Sequence, residues 1–204
     1  IDEISNPHFD RVKGVVKIIP KFISEVEVPL TSEGTHIWRP FSPSSRIEVD
    51  IKKKGWQWNG HGYFDANFGT RALEQDFTYW TWARLPLSNS TATIYDAKYK
   101  NGSDLGIGLN FLNSGEVKIF DPPENQNLSK SLWFLKRQIP CEKDFKPRQI
   151  KHMLDTPFYT RSAVKTKILG EVTSGVHETL DLKRFSNPFI KPMLAVRIPR
   201  KAMF

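Results

Sequence analysis

The sequence has one cysteine, Cys141, and lacks any long uninterrupted apolar run. A single cysteine excludes an intramolecular disulfide and any zinc site built on several cysteines. Because disulfide-free chains are typical of reducing compartments, we expect a cytoplasmic protein. A helix that crosses a bilayer needs about 18 or more apolar residues in succession, so we expect none here. The chain starts without Met or a signal peptide, and we expect it to be processed or truncated.

Short motifs of catalysis and ligand binding are missing as well. The five histidines show neither a His-x-His nor an HExxH spacing, which argues against a metal site. There is no G-x-S-x-G turn for a nucleophilic serine and no glycine-rich phosphate loop. Cys141 stands between Pro140 and Glu142 with no obvious base nearby. These absences argue against metalloenzymes, serine and cysteine hydrolases, and nucleotide-binding enzymes.

The composition is that of a folded globular protein with many aromatic residues. Of the 204 residues, 39% are apolar and 25% are charged, which suits one large domain or two tightly joined halves. Aromatic residues make up 12%, including six Trp and fourteen Phe. Such side chains can line a lipophilic cavity or fill an aromatic-rich β core. Composition alone leaves both interpretations open.

The formal net charge of +8 fits nucleic-acid binding, contact with an anionic membrane surface, or solubility alone. The basic residues are spread along the chain, and the tightest run is Lys52, Lys53 and Lys54, close to Trp56 and Trp58. Nucleic-acid binders usually concentrate more charge, so we expect no nucleic-acid partner. Lysines beside aromatic residues fit a peripheral membrane contact, although a solvated loop has the same composition.

Alternation of apolar and polar residues dominates the sequence, as half-buried strands require. In the segment 46–51 the apolar side chains fall on one face and the charged side chains on the other. A strand over 91–99 ends near Asn101-Gly102, a dipeptide that favours a tight hairpin. Further strands are predicted over 105–112, 116–120, 132–139, 148–153, 158–169 and 171–180, and short helices or turns over 73–79 and 182–190.

We therefore predict an all-β fold whose short antiparallel strands close as a barrel or pack as a sandwich, with few short helices. A barrel of about eight strands can hold one small ligand in its interior. An enclosed lipophilic pocket is consistent with this architecture, and the pattern does not identify its ligand. The sequence carries no signal for an oligomeric state.

Three segments carry polar groups beside aromatic rings at a spacing of two residues. Residues i and i+2 of a strand point to the same face, so each segment presents both groups on one side of a sheet. If that side faces the interior, the cavity is aromatic with a few polar groups. The residues concerned are His36 and Trp38, Tyr63 and Asp65, and Trp80, Trp82 and Arg84.

Asp65 is the carboxyl group of this set and lies in the stretch 60–69, where several glycines occur. Glycine within a strand often marks a bulge or a close backbone approach, and both are common near functional sites. The structural alternative is that Asp65 caps a turn or forms an ion pair with Arg71 or Arg84. His36 has a similar alternative, because an isolated histidine near a strand is often a hydrogen-bonded structural group.

Ordered pieces of the sequence resemble the carotenoid 1,2-hydratases, also called hydroxyneurosporene synthases, which are lipocalin-like (calycin) proteins. The similarity is weak near residue 1 and strong from residue 36 to residue 200. In one departure, Ala83 stands where the family commonly has serine. The pieces that carry the resemblance are His36-Ile37-Trp38-Arg39-Pro40, Arg46-Ile47-Glu48-Val49, Gly60 to Asp65 with Asn67 and Gly69, Leu73-Glu74, Phe77, Trp80 to Arg84, Asp155 to Ser162, His177-Glu178 and Arg197-Ile198-Pro199-Arg200.

The resemblance implies hydration of the terminal double bond of acyclic carotenoids such as neurosporene and lycopene, with a tertiary alcohol at C1 as the product. It implies a lipocalin-like antiparallel β-barrel enclosing an apolar pocket, and neither cofactor nor metal. We expect one domain over 1–204, or two barrel halves, without the upstream segment usual in the family. The family's catalytic aspartate falls on Asp65, and its supporting residues fall on His36, Trp38 and Tyr63. Peripheral contact with the photosynthetic membrane suits such a substrate.

The implied chemistry needs Asp65 to be protonated, because an alkene is a very weak base and an ordinary aspartic acid has a pKa of about 4. Burial raises the pKa of a carboxyl group, and we expect Tyr63, Phe64, Phe68 and the Trp residues to shield Asp65 from water. A nearby Arg84 would oppose this shift by favouring the carboxylate.

The tertiary cation formed at C1 needs a negative potential without a nucleophile. Aromatic faces provide it, at roughly 2 kcal/mol or more for each desolvated contact. Trp38, Tyr63, Trp80 and Trp82 are the candidates for this role, and His36 or Tyr63 is expected to orient the water and accept its proton. The predicted substrate-binding residues are Trp80, Trp82, Arg84, Phe64 and Phe68.

Two other functions fit the same kind of fold. A non-catalytic carrier would bind a carotenoid or another lipid and release it unchanged. A lipocalin-like cyclase would fold a polyene into rings and would depend on pocket shape more than on an acid.

Overall fold

The computed structural model describes residues 1–5, 9–53 and 55–195. Lys54 of the basic run and residues 197–200 of the resemblance lie outside these residues.

The described residues form fourteen strands and three short helical segments, so the all-β prediction is confirmed. The strands are β1 Asp2–Ser5, β2 Asp10–Pro20, β3 Val28–Pro29, β4 His36–Ile51, β5 Gln57–Gly69, β6 Phe77–Pro86, β7 Ser90–Tyr99, β8 Asp104–Leu112, β9 Val117–Phe120, β10 Asn125–Asn127, β11 Gln138–Pro140, β12 Arg148–Asp155, β13 Tyr159–Ile168 and β14 Glu171–Asp181.

The larger sheet has seven strands in the order β12-β13-β14-β6-β7-β8-β9. Every neighbouring pair is antiparallel. The hairpin predicted at Asn101-Gly102 joins β7 to β8, and Gly102 has a φ of +90°, which glycine adopts without a steric penalty. Six of the predicted strands lie in this sheet, namely β7, β8, β9, β12, β13 and β14.

The second sheet has five strands and is organised around the long β4. β5 pairs with one edge of β4, whereas β2 and β3 pair with successive stretches of the other edge, and β1 pairs with β2. The register between β4 and β5 shifts twice, at stretches that contain Pro40 and Pro43. Proline has no N–H to donate to the ladder, so such irregularities are where a sheet accommodates it.

The two sheets face each other across an apolar cluster. Trp38 of the five-stranded sheet packs in one buried cluster with Phe77, Trp82, Tyr95 and other residues of the seven-stranded sheet. Trp38 has no exposed surface, and it is the largest of the fully buried side chains among the described residues. A second apolar cluster, which includes Ile94 and Ile139, covers the other face of the seven-stranded sheet.

The prediction of a strand over 132–139 is largely wrong. The segment turns at Ser131 to Leu135, where Phe134 has a φ of +59° and its N–H bonds the carbonyl of Ser131. Only β11, at the end of the segment, is extended, and it pairs with β10 in a separate two-stranded sheet. Leu135 and Ile139 are fully buried, whereas Leu132, Trp133 and Phe134 at the turn are exposed, so the apolar residues of this stretch do not share one buried face.

The helical segments are as short as predicted. The segment 73–79 contains one 3-10 turn, Leu73–Gln75. The segment 182–190 begins with a single α turn, α1 (Leu182–Phe185), whose first turn is capped by the carboxylate of Asp181. A second 3-10 turn spans Lys191–Ala195. In the described part of the chain, no helix is long and apolar enough to cross a membrane.

The strand pairing of the described residues gives three separate sheets of five, two and seven strands. The all-β antiparallel architecture is therefore established. The closed lipocalin-like barrel stays a prediction.

Candidate active site

Asp65 lies on β5 and accepts two hydrogen bonds from aromatic side chains. Trp38 Nε1 of β4 donates to Asp65 Oδ2 at 2.9 Å, and the hydroxyl of Tyr63 donates to the same oxygen at 3.0 Å. The register explains this arrangement. Asn67 is the cross-strand partner of Trp38, and strand alternation places Tyr63, Asp65 and Asn67 on the same face of β5.

Aromatic rings of the opposite sheet complete the surroundings of this carboxyl group. The ring of Trp82 on β6 lies 4.9 Å from that of Tyr63, measured between centroids. The ring of Tyr95 on β7 lies 5.4 Å from that of Trp38 and 5.8 Å from that of Trp80. The structure therefore brings together Trp38, Tyr63, Asp65, Trp80 and Trp82, together with Tyr95, which the sequence analysis did not select.

Burial raises the pKa of Asp65 above its usual value. The hydrogen bonds from Trp38 and Tyr63 act in the opposite direction, as does the charge of Arg161, but burial outweighs them. Burial and the nearby Asp65 also raise the pKa of Tyr63 well above that of an ordinary phenol. Tyr63 therefore remains a hydrogen-bond donor, and Asp65 is a weaker acid than an ordinary aspartic acid.

Arg84 does not pair with Asp65. Its Nε donates to the carbonyl oxygen of Pro43 at 3.3 Å, and its guanidinium carbon lies 6.0 Å from the centre of the Tyr63 ring. Arg84 is buried, and this burial lowers its pKa. Arg71 is engaged elsewhere, with Asp76. The structural alternative for Asp65, an ion pair with Arg71 or Arg84, is therefore wrong.

His36 is buried and binds a different carboxylate. Its Nε2 lies 2.7 Å from Asp76 Oδ2, and Arg71 donates two hydrogen bonds of 2.6 Å to the same carboxylate. Arg71, and after it His36, lowers the pKa of Asp76. His36 is two residues from Trp38 on β4, but its described hydrogen bond connects it to this ion pair and not to Asp65.

Phe64 and Phe68 do not shield Asp65, and this prediction is corrected by the structure. Strand alternation places them on the opposite face of β5 from Tyr63 and Asp65. Phe64 is 51% exposed and stacks on Phe41 with 5.7 Å between ring centroids, while Phe68 is 47% exposed. The rings that shield the carboxyl group come instead from β4, from Tyr63 itself and from the seven-stranded sheet.

Two cavities lie near the sheets, and Asp65 lines neither of them. One, of about 210 Å³, is bordered by His36, Phe68 and Arg71, among others. The other, of about 300 Å³, lies beside Asp96, whose pKa is raised to about 6 by burial. Within the ranges the structure describes, no three His, Cys, Asp or Glu side chains are grouped so as to hold a metal ion.

Fold and site together define a β-sheet protein in which a shielded carboxylic acid is surrounded by aromatic rings. The family model "Carotenoid hydratase CrtC" matches residues 1–204, and the chain belongs to this family. It is 48% identical to the acyclic carotenoid 1,2-hydratase of Cereibacter sphaeroides over 202 residues, which are 98% of this chain and 72% of that protein.

Two further relatives carry the same name. The acyclic carotenoid 1,2-hydratase of Rhodobacter capsulatus is 44% identical over 197 residues, which cover 96% of this chain and 70% of that protein. The enzyme of Thiocapsa roseopersicina is 39% identical over 201 residues, which cover 98% of this chain and 50% of that protein. The resemblance found in the sequence is thereby confirmed.

Proposed function

We propose that this chain is a carotenoid 1,2-hydratase, a hydro-lyase that adds water to the terminal C1=C2 double bond of an acyclic carotenoid. Family membership and the names of the relatives support the reaction and the substrate class. The single structural observation that carries the proposal is Asp65, a carboxyl group with a raised pKa that is hydrogen-bonded to Trp38 and Tyr63.

In this mechanism Asp65 donates a proton to C2 and leaves a tertiary cation at C1. Trp38 and Tyr63 both donate to Oδ2, so the transferable proton is carried by Oδ1. The same two donors stabilise the carboxylate that remains after proton transfer. The faces of Tyr63, Trp80 and Trp82 supply negative potential to the cation without offering it a nucleophile. Water then adds at C1, and no cofactor takes part.

The finer description of the fold is also part of the proposal. The chain forms a single lipocalin-like domain, in which the five-stranded and seven-stranded sheets enclose the lipophilic substrate. The apolar cluster shared by both sheets, with Trp38 from one and Trp82 and Tyr95 from the other, supports this arrangement. The predicted site residue His36 then forms with Asp76 a structural pair that anchors the start of β4 beside Trp38.

The test is a product assay with lycopene in phospholipid vesicles, analysed by chromatography for a more polar alcohol. The chain should form the alcohol without added cofactor, and Asp65→Asn, which keeps the shape but removes the acid, should lower its rate about 100-fold or more. Asp50→Asn is the matched control, because Asp50 of β4 is an exposed carboxylate bonded to Gln57. It should behave as the wild type.

Each alternative function gives a different result in this assay. A carrier returns lycopene unchanged at a stoichiometric ratio, and a cyclase forms a ring product that Asp65→Asn does not suppress. Normal alcohol formation by Asp65→Asn would refute Asp65 as the acid.

For access to a membrane-borne substrate, we propose that the β4–β5 hairpin docks on an anionic lipid surface. Trp56 and Trp58 are 42% and 52% exposed, and the ammonium of Lys53 lies 5.5 Å from the Trp56 ring centre. Trp56 precedes Asp65 by nine residues of chain, or about 30 Å at about 3.3 Å per residue. The hairpin therefore lies far from the acid along the chain, and the proposed docking acts at a distance from the reaction.

Co-sedimentation with phosphatidylcholine–phosphatidylglycerol vesicles tests the hairpin. Each basic residue near an anionic surface contributes about 1 kcal/mol, so Lys52→Glu/Lys53→Glu should weaken binding about 10-fold or more. The control Lys98→Glu/Lys100→Glu changes the β7–β8 hairpin, which carries no Trp. Equal binding of the two double variants would exclude the β4–β5 hairpin as the docking element.

A further inference from the structure

A second carboxyl group, Glu178 of β14, lies on the face of the seven-stranded sheet whose Trp82 contacts Tyr63, the partner of Asp65. Glu178 is the cross-strand partner of Trp82, so the two side chains lie on the same face of the seven-stranded sheet. The ring of Trp82 contacts that of Tyr63, whose hydroxyl binds Asp65. Glu178 is largely buried, with 13% of its side chain exposed. One continuous set of contacts therefore leads from one carboxyl group to the other.

Glu178 is held by Arg161 of the neighbouring strand. The guanidinium of Arg161 donates to Glu178 Oε1 at 2.7 Å, and its Nε also bonds the hydroxyl of Tyr159 at 3.1 Å. Burial works against the charge of Arg161, but Glu178 and Tyr159 outweigh it and raise the pKa of Arg161. Arg161 is therefore a permanent cation that holds the Glu178 carboxyl group in place through hydrogen bonds.

Two further observations place Glu178 in the electrostatic surroundings of Asp65. The charge of Arg161 acts on the pKa of Asp65 as well as bonding Glu178. Burial, followed by the charges of both Asp65 and Glu178, raises the pKa of Tyr95. The charges of both carboxyl groups therefore act on the pKa of the same tyrosine.

Trp82 also presents a buried hydrogen-bond donor without a partner among the described residues. This donor is the indole Nε1. A buried polar group of this kind is typically satisfied by an ordered water, which needs two or more polar partners. Because Glu178 is the cross-strand neighbour of Trp82, a water that accepts from this N–H lies on the same sheet face as the Glu178 carboxyl group.

We propose that Glu178 is the catalytic base of the hydration, and this inference rests on the proposed function. Asp65 transfers its proton to C2, and the π electrons form the C2–H bond and leave C1 as the cation. The oxygen of the bound water forms the C1–O bond, and one of its protons passes to the Glu178 carboxylate. Protonated Glu178 then returns that proton to ionised Asp65 through solvent, so one water is consumed and both carboxyl groups are restored.

The different surroundings of the two carboxyl groups suit these roles. Burial raises the pKa of Asp65, which favours the protonated form that the alkene needs. The adduct of water and a tertiary cation is a very strong acid, so even an ion-paired carboxylate is basic enough to accept its proton.

The test separates protonation from water capture by running the reaction in D2O. Asp65 then delivers a deuteron to C2, and a cation that is not captured by water loses a proton from carbon and returns an alkene that retains deuterium. In Glu178→Gln we expect alcohol formation to fall about 100-fold or more, while deuterium still enters the recovered carotenoid. Glu178→Asp should recover part of the alcohol formation, because it keeps a carboxylate.

Controls make each failure distinguishable. Glu171→Gln makes the same change on the same strand at an exposed carboxylate bonded to Ser88, and it should hydrate as the wild type does. Asp65→Asn should lose both alcohol and deuterium incorporation. Full hydration by Glu178→Gln, or loss of exchange together with hydration, would overturn the role of Glu178 as the base. A wild-type chain that gives neither product nor exchange would instead contradict the proposed function.

Discussion

Trp38 donates its indole N–H to Asp65 Oδ2 across 2.9 Å, and it is a donor without any exposed surface. A hydrogen bond from a neutral donor normally lowers the pKa of a carboxyl group. Here the same packing that fixes the donor also removes water from the acceptor, and burial has the larger effect on Asp65. The site therefore raises the pKa of a carboxyl group whose orientation is fixed by two donors, and in the proposed mechanism the same donors stabilise the anion left by proton transfer.

Tyr63→Phe should move the pH dependence of hydration. The proposed mechanism requires protonated Asp65, so kcat/KM should fall as pH rises through the Asp65 pKa. Removing the Tyr63 hydroxyl removes a bond that lowers this pKa, so the alkaline limb should move to higher pH. The maximal rate should fall roughly 10-fold or more, because a hydrogen bond to a charged group contributes about 1.5–3 kcal/mol.

The matched control for this profile is Tyr79→Phe, since the Tyr79 hydroxyl bonds the carbonyl of Lys136 and not the site. Its pH profile should coincide with that of the wild type. A limb that stays in place or moves to lower pH in Tyr63→Phe would show that the hydroxyl does not control the ionisation of Asp65.

The strand pattern predicted which residues share a face, because a two-residue period is a local property of extended backbone. It correctly placed Tyr63 and Asp65 on one side of β5 and the apolar residues of 91–99 in a strand of the larger sheet. The same rule puts Phe64 and Phe68 on the other side of β5. Predicting them as shields of Asp65 relied on nearness in sequence, which alternation contradicts.

Long-range partners could not be predicted in this way. The contacts of Trp82 with Tyr63 and of Tyr95 with Trp38 depend on how two sheets are superimposed. His36 was predicted beside the acid, but it binds Asp76, forty residues later in the chain. Such pairings are decided by packing and register, which leave no periodic trace in the sequence.

Asp76→Asn should destabilise the fold in a pH-dependent manner. The Asp76 side chain is 15% exposed, accepts two bonds from Arg71 and one from His36, and has a lowered pKa. A depressed folded-state pKa gives stability that is present above the unfolded value of about 4 and is lost as pH falls through the folded value. At neutral pH the variant should lose roughly 1–3 kcal/mol of unfolding free energy.

Urea unfolding at neutral pH and in acid measures this effect, and the difference between wild type and Asp76→Asn should shrink in acid. Asp104→Asn is a suitable control, because its ion pair with Lys98 is exposed and should contribute little. A difference that stays constant down to the most acidic pH would argue against an ionised Asp76 as the source of the stability.

His177 should make the fold sensitive to mild acid. It is fully buried on β14, its Nε2–H donates to the carbonyl of Gln138 at 2.8 Å, and burial lowers its pKa from 6.5 to about 3. The unfolded chain therefore binds this proton at a higher pH than the folded chain. The stability from neutral His177 is fully present above pH 6.5 and is lost progressively as pH falls towards about 3.

His177→Gln keeps an N–H donor for Gln138 but does not titrate, so its unfolding free energy should change less between pH 6.5 and about 3. Urea unfolding measured across this pH range gives the change of unfolding free energy with pH for the wild type and for the variant. His61→Gln, at an exposed position on β5, should keep the slope of the wild type. If His177→Gln and the wild type lose stability in parallel, another group is responsible for the acid sensitivity.

Gly175 should be irreplaceable for the alignment of β14 with β6. A Cβ at this position would lie 2.0 Å from the carbonyl oxygen of Arg84 and 3.0 Å from Leu85 Cδ2, so Gly175→Ala must push the two strands apart. We expect a loss of roughly 1–3 kcal/mol or more of unfolding free energy, as for other overpacked sites.

The displacement should also reach the chemistry, because β14 carries Glu178 and β6 carries its partner Trp82. Folded Gly175→Ala should therefore hydrate more slowly than the wild type at a temperature where both are native by circular dichroism. Gly60→Ala is the control, since a Cβ there meets only Trp58 Cζ3 at 3.8 Å, an ordinary contact. Wild-type stability and hydration in Gly175→Ala would mean that the two strands do not approach as closely as their register requires.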